Sequence, residues 1–383
     1  MIEKKSAPAT IAAQALGWIE PTTRAVVPPV HPSTTFLRDE DGRYSSGRMY
    51  GRADSPAYDQ AEAVLAELEG GTAAALFASG SNAASALFLA LDPGDHVVIP
   101  PVMYWSLRNW LLTFATRWGL VVEVVDPADL DAVRAAVRPG KTKLIWVETP
   151  ANPLWSVSDI AALAEIAHGA GARLAVDSTV PTPVLTRPLG LGADIVMHSA
   201  TKYLNGHSDV IAGALVTGAE DEFWQRIKLN RVQMGGILGP FEAWLLLRGM
   251  RTLFARVPLV CRSAQAIAER LSEHPALLEV LYPGLLGFPG HEIAKRQMSG
   301  GFGAMLSIRL RGGEAAAIAT AARVRLWKRA TSLGGVESFI EHRASIEGPT
   351  SPVPLDLLRL SVGLEAAEDL IVDLAGALDG AHG

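Results

Sequence analysis

From residue 73 to residue 216 short apolar runs alternate with amphipathic stretches, and the runs fall at 73–77, 96–100, 120–125, 143–147, 173–177, 194–198 and 211–216. Apolar runs this short, bounded by turn-forming residues, have the length of strands, and most segments between them carry helical spacing. Strands alternating with helices predict an α/β fold, here a seven-stranded, mostly parallel sheet sandwiched by helices. From about Gly239 one long helical pattern, PFEAWLLLRGMRTLFARVPLVCRSAQAIAERL, opens a smaller α/β segment that runs to residue 383. Residues 1–49 have no sustained periodicity and carry Pro28, Pro29 and Pro32 beside Ser33, Thr34 and Thr35, which predicts an extended arm lying against some other surface. Three units are expected: an N-terminal arm (1–49), a ligand-binding domain (50–240) and a smaller C-terminal domain (241–383).

Composition narrows the class. With 49% hydrophobic and 19% charged residues the chain is an ordered globular protein, and a formal charge of -6 offers no basic face for nucleic acid. A mean hydropathy of +0.21 raises the question of a membrane span. The longest uncharged run, 70–91, answers it: Ser79, Gly80, Ser81, Asn82 and Ser85 divide it into a strand, a turn and a helix. The N-terminus lacks the apolar core and cleavage site of a signal peptide, so a cytoplasmic protein is expected. One cysteine, Cys261, makes neither an internal disulfide nor a cysteine-based zinc site; no metal site is expected.

In open α/β sheets ligands lie beyond the carboxyl ends of the strands. There the run 73–77 leads into Ser79-Gly80-Ser81-Asn82 and an Ala/Leu-rich helix, whose first amides suit an anion. Asp177 closes the run 173–177, and Thr201-Lys202, preceded by Ser199, follows the run 194–198. An anion cradle, an acid and a lysine together match the needs of pyridoxal 5'-phosphate: a phosphate site, a partner for the pyridinium nitrogen and an amine for the aldehyde. Burial or a neighbouring cation would lower the lysine pKa and make the amine nucleophilic.

Further motifs then add up to a resemblance. They are PPVHPSTTF at 28–36, YGR at 50–52, LEGG at 68–71, ETPANP at 148–153, DST at 177–179, HSATKYLNGHSD at 198–209, SLGGVES at 332–338 and LRLSVGL at 358–364. In this order and spacing the chain resembles the pyridoxal-phosphate enzymes of cysteine and methionine metabolism, which include cystathionine γ-synthase, the cystathionine lyases and methionine γ-lyase. The resemblance implies the aspartate-aminotransferase-like fold (fold type I). It implies that Lys202 binds the cofactor and shuttles protons, and that Asp177 pairs with the ring nitrogen. Tyr104 would stack on the ring and Asn152 would sit near its hydroxyl. The amides of Gly80 and Ser81 with the hydroxyls of Ser199 and Thr201 would hold the phosphate. Tyr50 and Arg52 would reach the phosphate of a neighbouring subunit, giving a shared active site in a homotetramer built as a dimer of dimers. Arg359, assisted by Ser332, would grip the substrate α-carboxylate, while His207 would be structural. Tyr50 and Tyr104 are the two candidates for assisting the leaving thiol.

The expected reaction is β- or γ-elimination by a carbon-sulfur lyase acting on cystathionine-like amino acids. The alternatives are γ-replacement on an activated homoserine, as in a γ-synthase, and a catalytically idle relative used for binding or regulation. Three departures from the family pattern bear on the substrate. Trp105-Ser106-Leu107 follows the ring tyrosine where Gly-Gly-Thr is common, a bulkier wall; Thr331 precedes Ser332 where γ-enzymes have glutamate; and Arg343 replaces a usual proline. A nicotinamide site is excluded, because neither Gly169-Ala-Gly171 nor Gly301-Phe-Gly303 has the third glycine. Gly140-Lys141-Thr142 lacks the first glycine of a nucleotide-binding loop, with Ala135 in its place.

Overall fold

A computed structural model describes residues 6–348 and 351–382; the remaining residues of the expected arm and C-terminal unit lie outside the described ones. Seven strands form the first sheet: β1 (Ala73–Phe77), β2 (His96–Ile99), β3 (Val121–Val124), β4 (Thr142–Glu148), β5 (Arg173–Asp177), β6 (Ile195–His198) and β7 (Gly213–Thr217). Their order is β1-β7-β6-β5-β4-β2-β3. Pairing is parallel from β6 through β3, whereas β7 runs antiparallel to both β1 and β6. Each expected strand is present within two residues of its expected limits.

Helices cover both faces because the central strands are apolar on both sides. On one face, helix Gly80–Phe88 packs Ala84, Leu87 and Phe88 with Phe77, Trp146 and Leu215. On the other, helix Pro56–Glu69 buries Tyr58, Ala61, Val64, Leu65 and Leu68. Local chemistry sets the limits of that second helix. The Ser55 side chain accepts the Ala57 amide, Pro56 occupies the first turn, and Gly70 at φ 73° ends it in a left-handed conformation.

A second sheet joins β8 (Leu277–Leu281), β9 (Met305–Leu310), β10 (Lys328–Arg329), β11 (Phe339–His342) and β12 (Leu357–Ser361) in the order β10-β11-β12-β9-β8. Helices Leu253–Leu271 and Gly313–Arg323 pack with it, and Ala367–His382 packs on both of these helices. The single long helix expected from Gly239 is two, Pro240–Met250 and Leu253–Leu271. The break has a local cause: the Gly249 carbonyl accepts the Thr252 hydroxyl at 3.0 Å and Arg256 Nη2 at 2.9 Å, so side chains replace the continuing backbone ladder. Helix Pro240–Met250 packs against Pro56–Glu69, beside the first sheet.

The arm is not extended throughout. Residues Pro8–Gln14 form a helix that buries Ile11 and Ala12 against Pro56–Glu69 and Leu253–Leu271. The missed signal is a single short apolar face, too short to show periodicity. From residue 18 to 55 there is neither helix nor strand beyond an isolated bridge between Thr35 and Tyr50. Leu37 is 92% and Val26 68% exposed there, so the chain itself does not cover its arm. Among the described residues no helix is long and apolar enough to cross a membrane.

Candidate functional site

The carboxyl ends of β4, β5 and β6 open into a cavity of about 270 Å³ lined by residues from seven separate stretches of chain, among them Ser79–Ser81, Tyr104, Asn152, Asp177 and Lys202. The corner expected to hold an anion begins at Ser79, whose side chain accepts the Asn82 amide at 3.1 Å and caps the helix. The Gly80 and Ser81 amides precede the first intrahelical bond and remain available. Only glycine serves at position 80. A Cβ there would lie 2.8 Å from Ser199 Cβ, so the turn and the Ser199-Ala-Thr201 segment close on each other. Ser81, Ser199 and Thr201 all line the cavity, although the Thr201 hydroxyl also bridges the Ala212 amide and carbonyl at 2.9 and 3.1 Å.

Glu148 and Asp177 are register partners at the ends of β4 and β5, which places two carboxyls side by side on the cavity floor. Burial raises both, Glu148 to about 8 with the neighbouring Asp177 charge adding to the effect. Asp177 Oδ1 accepts the Thr179 hydroxyl at 2.5 Å and the Thr179 amide at 3.0 Å. Its Oδ2 takes no hydrogen bond from the described residues. Glu148 accepts the amides of Tyr104 at 2.7 Å and Asn152 at 2.9 Å, and so anchors two expected site residues. Its role was not anticipated, although it closes an apolar strand as Asp177 does.

Lys202 sits in the turn after β6 and donates to Ser332 Oγ at 2.9 Å. Burial, followed by the Arg359 charge, lowers its amine to about 8. Ser332 holds a left-handed φ of 95°, unfavourable for a residue with a Cβ, while its carbonyl accepts Arg359 Nη2 at 2.9 Å. Arg359 Nη1 reaches Asn152 Oδ1 at 3.2 Å. Ser332 and Arg359 thus stand just outside the cavity lining and join it through Lys202 and Asn152.

Tyr50 and Arg52 are not brought to this cavity. Tyr50 is exposed, with the Arg52 guanidinium 5.6 Å from its ring centre, and Arg52 Nη1 lies 3.4 Å from the Val232 carbonyl. The wall expected from Trp105 is also absent from the lining. Trp105 starts helix Trp105–Trp110, and successive helical side chains diverge by about 100°, away from Tyr104. Thr331 is exposed outside the cavity, and His207 bonds the Asn205 carbonyl at 2.8 Å. Glu69 and His198, each in a motif named above, meet in a fully buried pair at 2.7 Å beneath the turn that carries Lys202.

The sequence pattern of the Cys/Met metabolism PLP-dependent enzymes matches residues 9–379. Cystathionine γ-synthase of Mycobacterium tuberculosis is 47% identical over 379 residues, 97% of each chain. L-methionine γ-lyase of Porphyromonas gingivalis is 43% identical over 382 residues, 95% of each chain. The structure of cystathionine γ-synthase from Xanthomonas oryzae pv. oryzae in complex with aminoacrylate and cysteine superposes with a TM-score of 0.93 at 38% identity, covering 98% of this chain and 99% of that one.

Proposed function

Because the chain belongs to the Cys/Met metabolism PLP-dependent enzymes, we propose that it breaks and remakes a bond at Cγ of a homocysteine- or homoserine-derived amino acid, with replacement of the γ-substituent by a thiol as the first reading. The chain is a PLP-dependent trans-sulfuration enzyme of fold type I. Lys202 carries the reading of its chemistry: a buried amine with its pKa near 8, held against Ser332 between the anion-binding turn and Arg359. Such an amine both takes and returns protons near neutral pH.

Pyridoxal phosphate fits the residues present. The turn at Gly80 and Ser81, closed against Ser199, suits its phosphate, and the uncommitted Asp177 Oδ2 suits its ring nitrogen. When bound, the cofactor supplies an electron sink that acidifies the substrate's Cα–H. Lys202 then removes that proton and returns protons at neighbouring carbons. Asp177 would hold the ring nitrogen protonated, Tyr104 would cover one face of the ring, and Asn152 would lie near its hydroxyl. Arg359 and Ser332 hold the α-carboxylate.

Support for Cγ comes from the names of the relatives, a γ-synthase and a γ-lyase. Support for a γ-substituent without an ammonium comes from the cavity. Among the described residues its only carboxylates are Glu148 and Asp177, both engaged at the floor, which leaves none for a second ammonium. The same feature favours the second reading, elimination of an uncharged thiol. Incubation with O-acetyl- or O-succinylhomoserine with and without a thiol, and separately with methionine and cystathionine, decides between them. A new thioether supports replacement and 2-oxobutanoate supports γ-elimination; pyruvate alone, or no product, overturns the reading at Cγ.

Two further outcomes are expected of the apoprotein. The rate of cofactor uptake, followed by stopped-flow absorbance, should climb with pH and level off near 8, because the neutral Lys202 amine attacks. An ordinary lysine would keep climbing toward ~10.4. Gly80→Ala should weaken cofactor binding by about tenfold or more, since Ser199 must move to admit the Cβ; equilibrium dialysis measures it.

We propose further that the subunits pair so that Tyr50 and Arg52 reach the partner's cavity, in a homotetramer working in the cytoplasm, with the three units 1–49, 50–240 and 241–383 as its parts. The exposed arm and the absence of both residues from the lining of their own cavity support this. Mixed and reassembled, inactive Arg52→Ala and Lys202→Ala subunits should regain activity, since one cavity of each mixed pair is then intact. No recovery, or a monomer in sedimentation, would count against it.

A further inference from the structure

Arg359 lies at the centre of a row of side chains that crosses three strands. Glu341 on β11 is its cross-strand partner on one side and Ser307 on β9 on the other. Ser307 Oγ in turn donates to the Pro153 carbonyl at 2.7 Å, which ties the row to the loop bearing Asn152. Arg359 Nη2 meets Glu341 Oε2 at 2.6 Å. A one-to-one pair of this kind, 4% and 7% exposed at the side chains, would neutralise the guanidinium and resist a second carboxylate.

The pair is not one-to-one. Arg343, which starts the short helix Arg343–Glu347, places Nη1 2.8 Å from the same Oε2 of Glu341. It also binds Glu347 Oε1 through Nε at 3.2 Å and Nη2 at 2.6 Å, while Glu347 Oε2 accepts the Ser351 hydroxyl at 2.6 Å. Arg343, Glu341 and Glu347 are all nearly inaccessible, at 5%, 6% and 7%. The cluster holds two guanidiniums and two carboxylates, with Glu341 shared between the arginines. Without Arg343 the same buried volume would carry one excess negative charge beside Arg359.

We infer that Arg343 is a positioning residue for the substrate α-carboxylate: by sharing Glu341 it keeps the Arg359 guanidinium oriented and its charge incompletely compensated toward the cavity. This deepens the function proposed above and rests on Arg359 as the carboxylate site. Burial, followed by the charge of Arg343, lowers Arg359 to about 10, a mark of the like charge pressing on it. Arg359 remains protonated at any working pH. The arginine that stands where the family commonly has proline therefore serves binding of the carboxylate common to all the candidate substrates, rather than selection of the γ-substituent.

The test uses the holoenzyme, with KM and kcat measured separately and with propionate, a carboxylate without an amine, titrated by calorimetry. Arg343→Met should raise KM and the propionate Kd about 10- to 100-fold, with kcat changed far less. Adding Glu347→Gln to Arg343→Met restores the charge balance and should recover most of the loss, which a packing defect would not. Glu347→Gln alone, which keeps Arg343 and the shape of the cluster, should lower KM by a few fold, and it stands as the test if Arg343→Met does not fold. An unchanged KM in Arg343→Met, an absent rescue, or a raised KM in Glu347→Gln overturns the inference. Arg359→Met separates the two levels: if it leaves KM and propionate binding unchanged, the carboxylate reading itself fails. If it abolishes binding while Arg343→Met does nothing, only the role of Arg343 fails.

Discussion

Lys202→Ala is expected to lower kcat by about 10⁴-fold or more while leaving the fold and its melting temperature nearly unchanged. The size follows from two losses in one group. General acid-base transfer by a placed side chain contributes on the order of 10²–10⁴-fold, and in the proposed role the same amine is also the cofactor's attachment point. The tolerance of the fold follows from burial: a lysine amine out of water, lowered to about 8 and bonded to Ser332, is a poor stabiliser, and alanine in its place removes a desolvation cost. Activity, the visible absorbance of the bound cofactor and thermal melting check the three parts. Turnover within tenfold of the parent enzyme would show that Lys202 is not the proton carrier.

Asp177→Asn should separate activity from stability in opposite directions. Asparagine keeps the Oδ1 that accepts both Thr179 donors, so the loop geometry should persist. Its lost charge no longer holds the ring nitrogen protonated, and kcat should fall on the order of 10²–10³-fold. The apoprotein, by contrast, should gain stability at alkaline pH. Glu148 has a folded pKa near 8 against an ordinary 4.5, because burial and then the Asp177 charge disfavour its ionised form. A carboxyl raised in this way stabilises the fold below its unfolded pKa, and that contribution is lost as the pH climbs through the folded value. Removing the neighbouring charge lowers Glu148 and reduces the loss. A melting temperature at pH 9 that falls in Asp177→Asn would contradict this account.

The same residues show how far the sequence could be read. All seven strands of the first sheet were legible as short apolar runs, the central ones because a strand buried on both faces is continuously apolar, and the polar residues that end such runs mark the ligand edge. That rule places Gly80, Ser81, Asp177 and Lys202 in one cavity without coordinates, and it would have placed Glu148 there as well. The helix Pro8–Gln14 was not legible, since it buries only two residues. The break at Arg251 and Thr252 was not legible either, because it depends on Arg256 turning back to the Gly249 carbonyl.

Periodicity and short-range order along the chain were enough to read the fold class, the ligand edge of the sheet and the family. Only the tertiary structure decided how the charges partner. That Glu148 stands beside Asp177 is a matter of strand register, and that Arg343 and Arg359 share Glu341 depends on a turn bringing a helix end onto a neighbouring strand. The structure also leaves Trp105, Tyr50 and Arg52 outside the cavity lining. Periodicity records which face a residue occupies, whereas charge pairing depends on separations of a few ångströms between segments distant in the chain, which no local pattern encodes.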